Sequence, residues 1–528
     1  MQVLGIWDGH DAGIAWWRDG TYVCCLNEER ISRNKRQAGF PAMALETLIS
    51  SQGLVPEEID IIAVPGRYGR LPFRIANGKY RAQSNGQNPL SLASTLVRNL
   101  DSGISNTQGL RAIESRLGLA RLRSRLSAYD FQAPLISVRH HEAHAHTAAC
   151  SPDREPLIVT MDGYGDGECG QLAPWTTRAA ALHSPHDSLA LVYGAVTHLL
   201  GFNEGDEGKV MGLAAHGDAN RYQAIFDRLL QPGGCQVNLA DENTRNVLRQ
   251  ARREDVAAAL QSRVEYLAQR WIRSVRDQET ALAVSGGLFA NVVLNGKLQG
   301  QFEHLYVFPN MGDGGLCVGA VEAIVEEHKF PRVPFLGPIW SDLEISAALA
   351  QSGVHYRESA DPELELAETI LGGGIAARWY GRSAFGPRAL GHRSILIRAD
   401  RPDLAITLNR NLGREEFMPF APIRRHGRGS PTMTVVYDAD GELKQGAPVA
   451  VHVDGTCRTQ IVERDIDPGL WRLLEAVENR GLPALINTSF NRHGEPIVES
   501  PRDAIRTFQA SRFDRMQLGA FIVDRTAS

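Results

Sequence analysis

The chain has 528 residues, which at roughly 150 residues per domain predicts two to four domains. Lysine and arginine number 56 against 61 aspartates and glutamates, so the formal net charge is −5. With 43% hydrophobic and 22% charged residues, the composition is typical of a globular protein with large cores. These values exclude a single small module and a mainly disordered chain, and they make nucleic acid an unexpected partner.

No apolar run in the sequence reaches the ~20 residues that a membrane span requires, and Asp8 interrupts the N-terminus before a signal peptide core can form. The seven cysteines form no CxxC pair, which suits a reducing compartment better than a disulfide framework or a zinc knuckle. We therefore expect a cytoplasmic protein without a membrane partner.

The chain opens with apolar segments that predict three strands, over residues 3–7, 13–17 and 21–27, with a glycine-containing turn at 18–20. A later apolar strand, 157–161, again precedes an Asp-Gly turn. The repeated strand and turn predict an α/β unit that is used twice, with a ligand near the two turns.

A proline-rich segment, residues 329–340, predicts a domain boundary, because three prolines in so short a span cannot continue a helix or a central strand. The predicted domains are therefore 1–340 and 341–528. Beyond the boundary, a helix is expected from Ser341 to Gly353, with Glu344 completing a capping box. A second helix from Asp361 to Gly372 and a strand over 375–380 make the C-terminal part a separate α/β domain.

A histidine-rich segment follows the strand near residue 137, with four histidines within residues 140–146. On a helix, His140 and His144 lie one turn apart on the same face, the spacing with which two imidazoles bind a metal. Asp162 and Asp313 are candidate carboxylate ligands, and a mixed set of this kind favours iron, manganese or zinc over calcium. The alternatives are a histidine-rich surface helix and, for Asp313, an ordinary helix N-cap.

Glycine-rich strings at 204–217, 285–296 and 309–320 place small residues where strands are expected to lead into helices. Backbone amides at such junctions bind phosphate groups, so together the strings predict a nucleotide site. None matches a Walker loop or a dinucleotide fingerprint, and tight packing is the alternative. The candidate nucleotide-binding residues are Lys209, Gly212, Gly286, Gly287, Asn291 and Gly312.

The segment 381–396 concentrates Arg382, Arg388, His392 and Arg393 around glycines. Arginines combined with hydroxyl and amide donors are typical of a site for a compact, multiply charged phosphate. The candidate residues for such a site are Arg388, Arg414, Arg458, Ser489 and Asn491, and the alternative is a solvated arginine face.

His10 follows the first Asp-Gly turn, where an imidazole can accept a proton from a hydroxyl near neutral pH. A basic stretch, residues 67–125, is either a solvated insertion or a contact surface for an acidic acceptor.

These strings together resemble a known family. LGIWDGHDAG, EERISRNKRQAGFP, HHEAHA, DEGKVMGLA, FGPRALGHRSIL and LINTSFNRHGEPIVESPRDAI are similar to segments of O-carbamoyltransferases such as the nodulation-factor, tobramycin and cephamycin enzymes. The resemblance runs nearly end to end. It implies an N-terminal actin/hexokinase-like (ASKHA, TsaD-like) duplicated α/β domain followed by a C-terminal YrdC-like α/β domain.

For such a protein, the YrdC-like domain is expected to form carbamoyl adenylate from carbamoyl phosphate and ATP. The TsaD-like domain then transfers the carbamoyl group to a hydroxyl of a small-molecule acceptor, with release of AMP. By motif, His140, His144, Asp162 and Asp313 match the family's metal ligands, for which Fe²⁺ is expected before Mg²⁺ or Mn²⁺. His10 matches the proposed general base. Arg388, Arg458 and Ser489 match the carbamoyl phosphate-binding positions, with Arg414 and Asn491 beside them.

One departure concerns a lysine that many relatives carry just before the Arg-Glu pair at 414–415, where this chain has Gly413. Arg410 is the expected substitute. The acceptor pocket is expected within residues 65–130, and the acceptor's identity stays open. The competing hypotheses are a tRNA threonylcarbamoyladenosine-type enzyme and a non-transferase actin-like ATPase. The mild acidity and the arginine-rich second domain favour carbamoyl transfer to a small molecule.

Overall fold

The fold is described from a computed structural model, over residues 1–66, 108–153, 155–166, 168–174, 181–182, 188–231, 234–235, 241–276, 279–326, 330–413 and 420–525. The chain forms two compact units. The first unit comprises Met1–Glu28 and Gln37–Phe330, and the second comprises Glu29–Arg36 and Pro331–Ser528.

The first unit is built on two mixed β-sheets. Their strands, together with a short hairpin (β9 and β10), are β1 Gln2–Trp7, β2 Gly13–Arg18, β3 Thr21–Asn27, β4 Ile61–Pro65, β5 Leu135–Val138, β6 Leu157–Gly165, β7 Glu168–Pro174, β8 Ala181–Leu182, β9 Leu230–Gln231, β10 Gly234–Cys235, β11 Ala281–Ser285 and β12 His304–Val307. One sheet has the order β3-β2-β1-β4-β5 and the other has the order β12-β11-β6-β7-β8.

The two sheets repeat one topology. In each, three strands that follow one another in the chain pair antiparallel, and the first of them pairs parallel with the first of two later strands. The last two strands of each sheet also pair parallel with each other. The predicted duplication of an α/β unit is therefore confirmed, and the three N-terminal strands lie where the sequence pattern indicated them.

Helices connect and cover these sheets. The helices over the first 330 residues are α1 Glu28–Ser32, α2 Ala42–Ser51, α3 Gln108–Ser127, α4 His140–Ala148, α5 Leu189–Leu199, α6 Glu207–Ala214, α7 Gln223–Leu229, α8 Glu242–Gln250, α9 Arg253–Val275, α10 Val292–Gln299 and α11 Leu316–Glu322. Helix α4 packs on α11 and on β6 and β11 of the second sheet. This packing buries most of α4, including its histidines, which excludes the surface-helix alternative.

The second unit contains an eight-stranded sheet with the order β13-β22-β21-β14-β15-β20-β16-β19. The strands of this unit are β13 Tyr356–Glu358, β14 Ala376–Trp379, β15 Arg393–Arg398, β16 Ala421–Arg424, β17 Tyr437–Asp438, β18 Thr456–Cys457, β19 Gln460–Ile461, β20 Leu485–Ser489, β21 Arg515–Leu518 and β22 Phe521–Asp524. Alternate residues of β15 enter different cores, because Ile395 and Ile397 join one apolar cluster and Leu396 joins another.

The helices of the second unit are α12 Asp342–Ser352, α13 Pro362–Leu371, α14 Pro402–Leu412, α15 Gly441–Gly446, α16 Pro468–Glu478 and α17 Pro501–Ala510. The predicted start of α12 is confirmed, because Ser341 and Glu344 form a capping box and Gly353 ends the helix in the left-handed conformation. None of the helices over the described ranges is long and apolar enough to cross a membrane.

The two units divide at Phe330 and Pro331, inside the proline-rich segment and ten residues before Ser341. Residues 29–36 also belong to the second unit, which the division into 1–340 and 341–528 did not anticipate. The sequence alone gives no sign of this, because the segment follows β3 directly and its charged residues resemble an ordinary surface turn. The TsaD-like and YrdC-like assignments of the two domains stay predictions.

Candidate metal and phosphate sites

Helix α4 and the carboxyl-end regions of two strands bring four side chains of the first unit together. His140 and His144 are one turn apart on α4, and Asp162 lies near the end of β6. Asp313 begins a short 3₁₀ turn that follows β12 and leads into α11. One ligand atom from each of the four residues lies within 4.8 Å of all the others. The structure therefore groups the four residues that the sequence singled out as metal ligands.

The distances within this cluster are those of a shared ligand site. The Nε2 atom of His144 is 3.2 Å from Asp162 Oδ2 and 3.4 Å from Asp313 Oδ1. The Nε2 atom of His140 is 3.5 Å from each of these two oxygens. Both imidazoles thus direct the same ring nitrogen at the same pair of carboxylates.

Two of these atoms are buried without a hydrogen-bond partner, namely His140 Nε2 and Asp313 Oδ1. Buried polar atoms usually have a hydrogen bond, because leaving one without a partner costs about 1–3 kcal/mol. Two imidazole nitrogens and two carboxylate oxygens form a donor set that suits a first-row transition metal better than calcium. The residues present therefore fit a divalent metal ion.

Hydrogen bonds behind the cluster orient His144. Its Nδ1 atom contacts the Ser285 hydroxyl at 3.3 Å, and that hydroxyl donates to the Met311 carbonyl at 3.2 Å. Since Ser285 has a single proton to donate, this arrangement leaves Nδ1 as the donor and Nε2 as the atom available to a ligand. The alternative that Asp313 is a helix N-cap is wrong, because Gly315 occupies that position of α11 and Asp313 faces the histidines.

Electrostatics in the cluster favour ion pairs when no cation is bound. Burial opposes charging of the His144 ring, but the adjacent carboxylates of Asp162 and Asp313 raise its pKa to about 9. Burial also works against the Asp162 carboxylate, yet the adjacent rings of His140 and His144 hold its pKa well below the usual range. A metal ion that binds His144 would have to displace the proton on its Nε2 atom.

Glycine makes room for the cluster at one tight position. A Cβ atom on Gly165 would lie 2.2 Å from Cδ2 of His140, so no larger residue fits at the end of β6 without moving that ring. A Cβ on the nearby Gly163 would meet nothing closer than 3.4 Å, which is an ordinary contact.

His10 lies beside the cluster rather than in it. Its Nε2 atom is 3.0 Å from Asp313 Oδ2, and its Nδ1 atom is 3.1 Å from Asp11 Oδ2. Burial lowers the pKa of the ring, but the carboxylates of Asp313 and Asp11 outweigh it and raise that pKa well above the ordinary value. The raised pKa favours the protonated ring, so acting as a base requires a weaker attraction from Asp313.

In the second unit, most cations of the segment 381–396 serve the fold. His392 contacts Asp467 at 3.1 Å, and Arg393 lies 3.6 Å from Glu499 and donates to three main-chain carbonyls. Arg382 donates to the Leu336 and Gly337 carbonyls. These contacts show that residue type alone did not separate binding arginines from structural ones.

Arg388 and Arg458 differ from these neighbours. Across the described ranges of the chain, neither guanidinium forms an ion pair, whereas Arg393 lies near Glu499. The buried Nε atom of each has no hydrogen-bond partner, which is also true of Arg393. Burial lowers the pKa of Arg388 to about 10. Burial, followed by the nearby charge of Arg388, lowers the pKa of Arg458 well below its ordinary value. Two adjacent cations that share an environment without a counter-charge have the electrostatics of an anion site.

The other predicted phosphate residues lie along one strand end. Ser489 ends β20 and pairs with Ser394 of β15. Asn491 follows it, donates to the Arg492 and Glu495 carbonyls, and has a buried Oδ1 without a partner. Arg414 lies outside the described residues, as does most of the stretch 65–130 in which the acceptor pocket is expected.

Comparison with known proteins identifies the family. The sequence matches the carbamoyltransferase N-terminus over residues 2–322 and the carbamoyltransferase C-terminus over residues 367–525. The chain belongs to the carbamoyltransferase family. It is therefore a transferase, and the interpretation as a non-transferase ATPase is wrong.

Curated relatives agree with this assignment. The chain is 30% identical to nodulation protein NolNO of Sinorhizobium fredii, over 98% of this chain and 80% of the relative. It is 34% identical to nodulation protein NolO of Bradyrhizobium diazoefficiens, over 73% of this chain and 78% of the relative. Among solved structures, it is similar to an activator of 2-hydroxyisocaproyl-CoA dehydratase from Clostridium difficile with bound ADPNP, at 12% identity and a TM-score of 0.33, covering 62% of this chain and 96% of that one.

The predicted nucleotide residues of this carbamoyltransferase separate into two groups. Gly286 and Gly287 follow β11 at a strand-to-helix junction and lie against β6, since a Cβ on Gly287 would be 2.8 Å from Asp162 Oδ1. Gly312 directly precedes Asp313 and has open space at its Cβ position. These three glycines therefore lie close to the histidine–aspartate cluster.

The remaining nucleotide candidates are engaged elsewhere. Asn291 caps α10 and exchanges hydrogen bonds with Gln261. Lys209 lies on α6, 3.4 Å from Asp206, and Gly212 is buried on the same helix. The strand-to-helix junction predicted for 204–217 is wrong, because α5 rather than a strand precedes α6. The glycines of this string resemble those of the two true junctions, and local sequence does not distinguish them.

One functional neighbour of this carbamoyltransferase went unpredicted. Asn27 donates to the Asp11 carbonyl at 3.3 Å and to the Gly314 carbonyl at 3.0 Å, and it accepts a hydrogen bond from Asn310. It thereby ties the loop that carries His10 to the loop that carries Asp313. No sequence spacing points to Asn27. The one signal in the sequence was its position at the end of β3, beside the first Asp-Gly turn.

Proposed function

We propose that this carbamoyltransferase is an ATP-dependent O-carbamoyltransferase acting on a hydroxyl of a small molecule, such as a natural product, an antibiotic or a sugar. The first unit is proposed to be the TsaD-like transfer domain of the actin/hexokinase class. The second is proposed to be the YrdC-like domain that activates the carbamoyl group. The proposed site of action is the cytoplasm.

The second unit performs the activation in this proposal. Water hydrolyses carbamoyl phosphate to carbamate and inorganic phosphate, and a carbamate oxygen then attacks the α-phosphorus of ATP. Carbamoyl adenylate forms and pyrophosphate leaves. Arg388 and Arg458 bind the phosphate dianion, with Ser489 and Asn491 as neutral partners and Arg414 as a further cation.

The observation that carries the proposal is the contrast among the buried arginines of the second unit. Arg393 has a carboxylate nearby, whereas Arg388 and Arg458 have none over the described residues. Placing two uncompensated cations side by side in a buried site is unfavourable unless an anion binds there. A doubly charged phosphate offers the oxygens that two guanidinium groups need.

The first unit performs the transfer. His140, His144, Asp162 and Asp313 are the residues that would hold a divalent metal ion, for which Fe²⁺ is the first candidate and Mn²⁺ or Mg²⁺ the alternatives. When bound, the ion supplies positive charge that neutralises the two carboxylates and attracts the phosphate of the adenylate. The glycines at 286, 287 and 312 leave backbone exposed to the same phosphate.

His10 is proposed to accept the proton of the acceptor hydroxyl. Asp313 is the main attraction that raises the pKa of the ring, and a weaker attraction would bring that pKa down toward the range of a general base. The hydroxyl oxygen then forms a bond to the carbamoyl carbon, the bond from that carbon to the phosphate oxygen breaks, and AMP leaves.

The decisive experiment measures pyrophosphate release by the full-length chain with ATP, carbamoyl phosphate and Fe²⁺. Release that depends on carbamoyl phosphate supports the activation step, and incubation with a panel of hydroxylated acceptors then tests transfer by the appearance of AMP and a mass increase of one carbamoyl group. Release that requires threonine and bicarbonate instead would contradict the proposal and indicate tRNA-type chemistry.

A further inference from the structure

The segment Glu29–Arg36 belongs to the second unit although it lies far from the rest of that unit in sequence. It forms a compact turn, because Arg33 N donates to the Glu29 carbonyl and Arg36 N donates to the Glu29 carboxylate at 2.7 Å. Two of its arginines extend from this turn onto loops of the second unit. We call these eight residues the crossing segment.

Arg30 of the crossing segment contacts the loop that carries Arg388. Its side chain is buried, and one guanidinium nitrogen donates to the Gly386 carbonyl at 2.7 Å. Gly386 has φ of +143°, a conformation that favours glycine, and lies two residues before Arg388. The contact therefore holds a loop with special backbone geometry at the start of the predicted anion site.

Arg33 contacts the second loop of the same site. Its guanidinium donates to the Pro496 carbonyl at 2.6 Å and to the Ile497 carbonyl at 2.7 Å. These carbonyls directly follow the turn in which Asn491 donates to the Glu495 carbonyl. Arg33 itself has φ of +61°, which is unfavourable for a residue with a side chain, so its contacts must offset that strain.

We infer that the crossing segment positions the anion site of the second unit, with Arg30 fixing the loop of Arg388 and Arg33 fixing the turn of Asn491. This inference rests on the proposed function for the identity of the anion, carbamoyl phosphate. Arg30 and Arg33 are positioning residues, because their guanidinium groups contact protein groups, namely main-chain carbonyls and, for Arg33, also Asp503. A rigid planar fork suits Arg33 in particular, since its two terminal nitrogens reach two successive carbonyls.

The test compares Arg30→Met, Arg30→Lys and a matched control, Arg398→Met, in the full-length chain. Arg398 also donates to a main-chain carbonyl of the second unit, that of Leu371 at 2.8 Å, but no predicted binding residue lies in that loop. Arg30→Met is expected to raise KM for carbamoyl phosphate at least about tenfold, because small misplacements of binding groups have large effects. KM for ATP is expected to change less than about twofold, and Arg30→Lys is expected to recover part of the loss.

A purely structural role would lower the melting temperature and change both KM values together, and that result would overturn the inference. Equal effects of Arg30→Met and Arg398→Met would also overturn it. Arg33→Lys provides a second variant if Arg30→Met fails to fold, with the same expected increase in KM for carbamoyl phosphate.

A binding measurement separates this inference from the proposed function. Inorganic phosphate is titrated while the melting temperature is recorded, which requires no catalysis. If the unaltered chain binds phosphate but releases no pyrophosphate, the proposed function fails. The positioning role is then decided by whether Arg30→Met raises the half-saturating phosphate concentration about tenfold and Arg398→Met does not. An unaltered chain that phosphate does not stabilise overturns the inference.

Discussion

The histidine–aspartate cluster of the first unit and the arginine pair of the second unit both bury charge, but they balance it differently. In the cluster, two imidazoles face two carboxylates, and the Nε2 atom of each ring lies within 3.5 Å of an oxygen of both carboxylates. Burial, followed by the nearby charge of Arg388, lowers the pKa of Arg458, and neither arginine has a carboxylate partner among the described residues.

This difference indicates what each site lacks. The cluster leaves His140 Nε2 and Asp313 Oδ1 without hydrogen bonds, and a bound cation would satisfy both atoms. The arginine pair lacks a counter-charge among the described residues, and a bound anion would supply one. The proposed function accordingly assigns a cation site to the first unit and an anion site to the second unit.

The largest expected effect comes from removing one cation of the pair. Arg388→Met keeps most of the apolar stem and deletes the charge, so we expect pyrophosphate release that depends on carbamoyl phosphate to fall by at least about 100-fold. The measurement is the steady-state rate at saturating ATP. Arg401→Met is the matched control, because Arg401 is an exposed arginine of the same unit that pairs with Asp403. A similar loss of pyrophosphate release in Arg388→Met and Arg401→Met would contradict the distinction between arginines with and without a carboxylate partner.

The second prediction concerns the loss of one histidine from the histidine–aspartate cluster. His144→Ala is expected to lower the affinity for Fe²⁺ or Mn²⁺ by about 100-fold or more, since even losing an outer partner of a ligand costs 10- to 100-fold. Metal content after dialysis, measured by elemental analysis, gives the result. Pyrophosphate release by the second unit should change less than about twofold, because the activation site needs no residue of the cluster. Loss of both properties would argue against two separate sites.

The third prediction addresses the room that the cluster needs. Gly165→Ala places a Cβ atom within 2.2 Å of the His140 ring, so the ring must move and metal affinity should fall about tenfold. Gly163→Ala in the same strand is the control, because its Cβ would lie 3.4 Å from the nearest atom. Titration of both variants with Mn²⁺ measures the difference. Equal affinities would show that the ring of His140 does not contribute to binding.

Sequence reasoning identified the cluster because its signal is local and chemical. His140 and His144 share a helix face at a spacing that few other functions need, and Asp162 follows a clear apolar strand. The duplicated α/β unit was predictable because an apolar strand and an Asp-Gly pair recur in both halves. The turn predicted at the second pair is wrong, because Asp162 and Gly163 lie within β6. Asp313 was a candidate because it follows an apolar strand beside glycines, but spacing left a helix N-cap as the alternative, and the family resemblance favoured the ligand role.

Features that depend on distant contacts were missed. The crossing segment joins the second unit through hydrogen bonds from Arg30 and Arg33 to main-chain carbonyls more than 350 residues away in sequence, which no local pattern encodes. Arg388 and Arg393 look alike in the string FGPRALGHRSIL, and the contacts of Arg393 with Glu499 and with three main-chain carbonyls separate them. The string at 204–217 looked like a strand-to-helix junction, although a helix precedes it.

The smallest expected effect concerns the hydrogen bond behind the cluster. Ser285→Ala removes the hydroxyl that contacts His144 Nδ1 and so releases the ring from one orientation. We expect a fall in metal affinity of about tenfold, because a partner of this kind fixes the ligand rather than binding the metal. Ser137→Ala is the control, since it also removes a serine hydroxyl in the first unit, one that donates to the Gly66 carbonyl and does not contact the cluster. If both alanine variants bind Mn²⁺ as tightly as the unaltered chain, the carboxylates alone orient His144, and the balance of charge in the cluster suffices without support from Ser285.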